Sequence, residues 1–243
     1  MCLVSYSPTE KGFILCSNRD ESPRRSLSPL QIFENKSGNM LCPVDTKGGS
    51  WIICSADGRA ICILNGAFTI HKRKPPYRIS RGLMMKAYFN YETTSQFIHK
   101  FDFSNIEPFT MIIRDVKSLY EFRWDGRYRH IQHLTIDALH IWSSCTLYTP
   151  EVQEERERLY REKYKTIKAN AVTIFDIQRN GNLGDEGINF VMNREDRVAT
   201  ISITVLEKTE GKFQLTHHDL RNGGEESRFL DIEVSSLQRT WPQ

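Results

Sequence analysis

The chain has 243 residues, 39% of them hydrophobic, 11% aromatic and 26% charged, with 33 basic against 30 acidic side chains and a formal charge of +3. That composition supports one sizeable core and excludes an intrinsically disordered chain, while no apolar run approaches the ~20 residues of a membrane-spanning helix. The nearly balanced charge makes no electrostatic case for nucleic acid.

The first predicted elements are strands: Cys2 to Ser7, Phe13 to Ser17, Trp51 to Ser55 and Ala60 to Leu64 are short, apolar and bounded by turn residues. Asp57-Gly58, between the last two, is a hairpin signal. From Ser80 to Phe101 the spacing of Leu83, Met84, Tyr88 and Phe97 predicts helices with a buried apolar face. Strands resume at Phe109 to Arg114 and Leu119 to Trp124, and Asp125-Gly126 turns the chain into Tyr128 to Leu134. Pro150 suits a first helical position, Thr149 a cap, and the helix is expected to run to Ile167 with an exposed face of alternating Glu, Arg and Lys. A second helix is expected over Ala169 to Ile177, then strands Ala199 to Glu207 and Phe213 to His217 and a polar tail. With no repeat and no linker, the expectation is a single domain over residues 1–243, layered, with largely antiparallel sheets because hairpin signals outnumber long crossovers.

Six cysteines, Cys2, Cys16, Cys42, Cys54, Cys62 and Cys145, have no export segment ahead of them, only the short apolar stretch Gly12 to Cys16. The expected compartment is cytoplasmic, with most thiols reduced and buried. No pair is spaced like a zinc knuckle, so neither metal nor cofactor is expected.

Cys2 stands apart, because removal of Met1 would make it the amino-terminal residue. Its own amine, with a reference pKa of ~7.7–8.0, would then be a base beside a thiol of pKa ~8.5. The alternative is a small residue that begins a strand. Asn18-Arg19-Asp20-Glu21, at the end of the second predicted strand, offers an arginine to lower a thiol's pKa, a carboxylate to fix charge and an amide to orient either; an exposed turn is the competing reading.

Met1-Cys2 followed by Asn18-Arg19-Asp20-Glu21 resembles the NRDE family, also called the transport and Golgi organisation protein 2 family. Gly48-Gly49-Ser50-Trp51, Leu64-Asn65, Ser80-Arg81-Gly82-Leu83, Thr149-Pro150 and Arg197 to Thr200 match in order. The resemblance implies an amino-terminal-nucleophile hydrolase-like fold, α+β, a four-layer αββα sandwich of two stacked antiparallel sheets. By similarity to the penicillin and bile-salt acylases it implies Cys2 as nucleophile, Asn18, Arg19 and Asp20 attending it, Asn65 holding the oxyanion, and Arg197 near a late active-site arginine. Trp51, Arg81 and Ser144 complete the expected substrate contacts, with Ser143-Ser144 standing where many relatives carry Ser-Asn.

Two functions follow as expectations. One is a cysteine-type hydrolase of a small-molecule amide or thioester. The other is a non-catalytic carrier of haem, acyl-CoA or a similar hydrophobic anion, since some relatives are associated with haem handling or lipid metabolism. Cys42-Pro43 and His217-His218 are the residues that could ligate haem, against the plainer readings of a buried thiol and exposed polar residues. His71-Lys72-Arg73-Lys74 is a basic cluster, read as a solvated loop, and Arg81-Gly82 opens a helix that could receive a phosphate or carboxylate.

Overall fold

The computed structural model describes residues 3–25, 27–36, 38–195 and 197–233, so Cys2 lies outside the described residues. In chain order the elements are β1 (Leu3–Thr9), β2 (Gly12–Glu21), β3 (Leu27–Phe33), β4 (Met40–Asp45), β5 (Ile52–Ser55) and β6 (Ala60–Asn65). Next come α1 (Arg81–Tyr88), α2 (Thr94–Lys100), β7 (Phe109–Arg114), β8 (Leu119–Trp124), β9 (Arg129–Leu134) and β10 (His140–Ser143). The chain continues through α3 (Pro150–Tyr164), α4 (Ala171–Asn180), β11 (Asn193–Arg194), β12 (Val198–Thr209), β13 (Lys212–Asp219) and β14 (Gly224–Asp231).

Two antiparallel sheets result, one ordered β10-β1-β2-β12-β13-β14 with β11 on β12, the other running β3 to β9 in sequence order. Strand alternation decides what each face meets. In the first sheet Leu3, Ile14, Cys16, Ile203 and Val205 face α3 and α4, packing on Tyr160, Ile174 and Ile177. Tyr6, Phe13, Leu215 and Leu206 face the second sheet, whose Arg114 lies over the Phe13 ring. Opposite Arg114's face, Phe109 and Phe122 take the aromatic side chain of Phe103, which also packs on Phe97 of α2. The order of layers is therefore helix, sheet, sheet, helix, as the family resemblance implies.

Helix starts follow local chemistry. Thr149 caps α3 ahead of Pro150, and Ser80, Thr93 and Asn170 cap the other three, Asn170 in a reciprocal capping box with Thr173. That box begins α4 at Ala171 rather than Ala169, and α3 ends at Tyr164, short of Ile167. Five strands, β3, β4, β10, β14 and the two-residue β11, go beyond the sequence expectation. β3 and β4 contain Pro29 and Pro43, which read as breakers; β3 is an edge strand with a register shift between Leu27 and Leu30, and β4 pairs with β5 only through Met40 and Leu41, so neither proline blocks a ladder. β10 is only four residues long, and β14 is a polar, mostly exposed edge.

Cys16, Cys42, Cys54 and Cys62 are buried, and burial pushes their thiols up, Cys62 to about 12. Cys145 departs from that expectation: it is partly exposed and lines a small cavity. Among the described residues no helix is long and apolar enough to cross a membrane, and no three His, Cys, Asp or Glu side chains are grouped to hold a metal ion.

Candidate functional site

β1 is a central strand, and its described start, Leu3, is opposite Asn18 of β2 on one side and Ser143 of β10 on the other. The Asn18–Glu21 tetrapeptide is not a turn after the strand but the strand's last four residues. Alternation therefore sends its side chains to opposite faces.

Asn18 and Asp20 turn toward the helices. Asn18 Nδ2 donates to the carbonyls of Phe190 (2.8 Å) and Gln178 (3.2 Å), and Asp20 accepts from Thr200 Oγ1 (2.6 Å) and the Tyr148 hydroxyl (3.2 Å). Behind them sits Arg156, fully buried, which donates from Nη1 to the Asn189 carbonyl (2.7 Å), from Nε to Ser143 Oγ (3.2 Å), and stacks on Tyr148 with its Cζ 4.2 Å from the ring. Arg19 turns the other way, between the sheets. Its Cζ sits 4.0 Å from the centre of the Trp51 ring, and its carboxylate partner is Asp45 at 3.7 Å. Asp45 is held more closely by Arg25 (2.9 Å) and the amide of Gly49 (3.0 Å). Burial and the neighbouring Arg25 lower the Arg19 guanidinium to about 10, which leaves it charged near neutral pH.

Asn65 ends β6, and its carbonyl accepts from Ser144 Oγ at 2.8 Å. Ser144 follows Ser143, the partner of Leu3, so Leu3, Ser143, Ser144 and Asn65 form a continuous path. Asn65, Ser143, Ser144 and Cys145 line a cavity of about 10 Å³, close to the smallest that holds one water. The Asn65 side-chain amide makes no hydrogen bond to a described residue. Next to it, Gly66 adopts φ +79°, and a Cβ there would lie 2.5 Å from Cys145 Sγ, so only glycine lets the two segments meet.

Gly82, at the start of α1, packs so closely on Gly49 and Ser50 that a Cβ would come within 2.9 Å of the Ser50 amide. The two glycine-containing landmarks are thus one junction, which sets Trp51 against Arg19. Arg81 donates to the Pro108 carbonyl (3.1 Å), which also accepts from the Gly66 amide (3.0 Å), and pairs with Glu107 (3.2 Å). It borders the Asn65 turn rather than entering it. His71 and Arg73 of the basic cluster pair with the same Glu107.

Arg197 is not brought to this site: its side chain is 81% exposed and paired with Glu195. The arginine that reaches inward is Arg194, which donates to the Leu147 carbonyl (2.8 Å) and stands over Tyr148. Sequence reasoning missed Tyr148, Arg156, Arg194 and Thr200. Tyr148 and Arg156 had a readable signal, flanking and following the Thr149-Pro150 helix start. The suggested haem ligands are separated: Cys42 lies on the α1 side of the second sheet, His217 lies between the sheets, and His218 faces α4, stacked on Phe175.

His217 itself is buried against Trp51, its Nδ1 2.9 Å from Thr204 Oγ1, and burial lowers it to about 4 despite Asp219. Unfolded, it takes up a proton near pH 6.5. Folded, it refuses one until about pH 4, so its contribution is intact above pH 6.5 and stability falls as pH drops from there to about 4. The loss is on the order of a few kcal/mol. Urea midpoints measured at pH 7 and 4.5 are expected to differ less in His217→Gln than in the parent; equal pH dependence in both would refute the assignment.

A family model described as Transport and Golgi organisation 2 matches residues 1–215. The chain belongs to that family. No curated protein sequence matches it. Among solved structures, penicillin V acylase from Agrobacterium tumefaciens superposes with a TM-score of 0.56 at 10% identity, covering 98% of this chain and 88% of that one. A variant of conjugated bile acid hydrolase from Clostridium perfringens superposes with a TM-score of 0.54 at 11% identity, covering 96% of this chain and 97% of that one. At such identities the likeness is one of fold, and it establishes the amino-terminal-nucleophile hydrolase-like sandwich across the family domain.

Proposed function

We propose that this family member is a cysteine-type amino-terminal-nucleophile hydrolase of a small-molecule amide or thioester, with Cys2 as nucleophile once Met1 is removed. The observation that carries the reading is the backbone register at the strand end that begins at Leu3, which pairs it with Asn18 and Ser143, sets Arg19 next along β2 and ties in Asn65 through Ser144. Cys2 directly precedes Leu3 in the sequence. Val4 and Tyr6, further along β1, turn toward the inter-sheet space that Arg19 enters.

In this reading the thiol loses its proton to the Cys2 amine as sulfur bonds to the substrate carbonyl carbon. Arg19 favours the thiolate, and the Asn65 amide donates to the developing oxyanion. Collapse breaks the C–N or C–S bond, the leaving group takes the proton, and water then cleaves the acyl-sulfur bond to restore the thiol. Asp20 acts at one remove, tying β2 to β12 through Thr200 and to the Tyr148 segment.

The test is intact mass followed by labelling. The native protein is expected to lack Met1, and an electrophilic amide analogue to add one equivalent that Cys2→Ala abolishes. Active protein that retains Met1 would exclude the mechanism.

One observation favours a second reading, a carrier that keeps the pocket without turnover. Ser144 already spends its hydroxyl on the Asn65 carbonyl and on Thr146 Oγ1 (2.9 Å), and holds out no second side-chain donor to an oxyanion. For that reading, one equivalent of haem or acyl-CoA would bind with Cys2→Ala unaffected.

A further inference from the structure

Four polar atoms between the sheets have neither solvent nor a hydrogen-bond partner: Arg19 Nη1, Trp51 Nε1, Ser202 Oγ and His217 Nε2. Each belongs to a residue at least 94% buried, since the exposures are 4%, 4%, 0% and 6%. Buried polar groups are overwhelmingly paired, and an unpaired one costs about 1–3 kcal/mol, more if charged. Four such groups in neighbouring side chains are hydrogen-bonding capacity gathered in one place.

The four are neighbours by independent measures. Ser202 is the cross-strand partner of Arg19, Arg19 stacks on Trp51, and the Trp51 and His217 rings are 5.8 Å apart. Alternation turns them inward: Ile203 and Val205 face the helices, which leaves Ser202, opposite Arg19, and Thr204, opposite His217, facing the second sheet.

Their chemistry is that of donors. An indole N–H and a guanidinium can only donate and a serine hydroxyl can, while the contact of His217 Nδ1 with Thr204 Oγ1 at 2.9 Å leaves Nε2 as the open atom of the imidazole. The matching occupant is a group made of acceptors. Charge narrows it further. Arg25 spans Glu21 (2.5 Å) and Asp45 (2.9 Å), and Asp45 is 3.7 Å from Arg19, so Arg19 and Arg25 are balanced overall by two carboxylates while Arg19 lacks a hydrogen-bonded one. Two acceptor oxygens suit the hydrogen bonding that Arg19 lacks, and a monoanion meets less repulsion from Asp45 than a phosphate dianion would.

We propose that Arg19, Trp51, Ser202 and His217 form a carboxylate-binding subsite, and that the small molecules this protein takes carry a free carboxylate. This deepens the hydrolase reading, which supplies the reacting bond, but the subsite stands on its own atoms.

The experiment uses the full-length chain carrying Cys2→Ala, which separates binding from turnover. In ¹⁵N-labelled protein the Trp51 indole resonance is assigned by its loss in Trp51→Phe, then followed during titration with hexanoate and with its neutral isostere hexanamide. Hexanoate is expected to shift the resonance saturably and hexanamide to leave it in place. Ser202→Ala, a substitution that removes one oxygen without altering the stack, is expected to weaken hexanoate by about tenfold, the worth of one hydrogen bond to a charged group. No response to hexanoate, equal responses to both ligands, or binding untouched by Ser202→Ala would each overturn the proposal, the first by showing ordered water only. If the subsite binds hexanoate while the native protein fails to label at Cys2, the hydrolase reading falls and the subsite remains.

Discussion

Asn65→Ala is expected to lower kcat by about 10²–10³ with little change in KM, the ordinary cost of removing one oxyanion donor. The expectation rests on a residue whose side-chain amide is bonded to no described residue while its backbone carbonyl accepts from Ser144 Oγ at 2.8 Å and its neighbour Gly66 donates to the Pro108 carbonyl at 3.0 Å. Such a group is held by its backbone and free at its tip, the state a donor needs if it is to meet charge that appears only in the transition state. Asn65→Asp is a sharper test: it keeps the shape but presents a negative charge to the oxyanion, so it should be at least as slow as alanine. A variant that raised KM and left kcat intact would move Asn65 from transition-state contact to plain substrate binding.

How much of this was legible beforehand follows from where each interaction lies in sequence. The helices α1 and α3 announce themselves through Ser80 and Thr149, because capping is settled within four residues. The hairpins at Asp57-Gly58 and Asp125-Gly126 are local for the same reason, each glycine taking a positive φ. β3 and β4 were hidden by prolines that only an edge position and a short ladder make harmless, a fact of sheet order. The polar tetrapeptide was visible as unusual, but its division into a helix-facing pair and an inward-facing Arg19 needed the strand to extend through Glu21. Arg19 meeting Trp51, and Trp51 meeting His217 from a strand more than 160 residues later, are products of stacking two sheets, and no local pattern encodes them. Likewise Arg197 and Arg194 look alike in sequence; a turn leaves the first in solvent and delivers the second to Tyr148.

Position behind Met1 singled out Cys2 among the six cysteines, and the family resemblance added weight to it as a nucleophile. The buried four are held protonated by desolvation, since a thiolate in an apolar sheet has no solvation to replace what it loses. Reactivity is thereby confined to thiols outside those positions.

Arg156→Ala is expected to destabilise the fold by about 3–5 kcal/mol, enough to lower Tm by on the order of 10 °C in a chain of this size. Arg156 is fully buried on α3, a helix whose other arginines, such as Arg158 and Arg161, lie in solvent beside Glu162 and Glu157. Nor does it pair with a carboxylate among the described residues. Its charge is instead spread over the carbonyls of Ile188 and Asn189, the hydroxyl of Ser143 and the faces of Tyr148 and Phe190. Alanine would strand two carbonyls and a hydroxyl and open the space the guanidinium filled. Lysine should rescue little, because an ammonium cannot present the planar fork that bonds three groups and stacks on two rings. Arg161→Ala on the same helix should change stability by no more than ~0.5 kcal/mol, since exposed i,i+4 pairs contribute little. Thermal melts of the three variants decide it: an Arg156→Ala midpoint within a degree or two of Arg161→Ala would show that the strut carries no weight. The consequence reaches the site, because the residues Arg156 clamps are Ser143, partner of Leu3, and the segment whose Phe190 carbonyl holds Asn18. In Arg156→Lys that remains folded at low temperature, labelling at Cys2 should therefore slow although no atom of position 156 reaches the inter-sheet face.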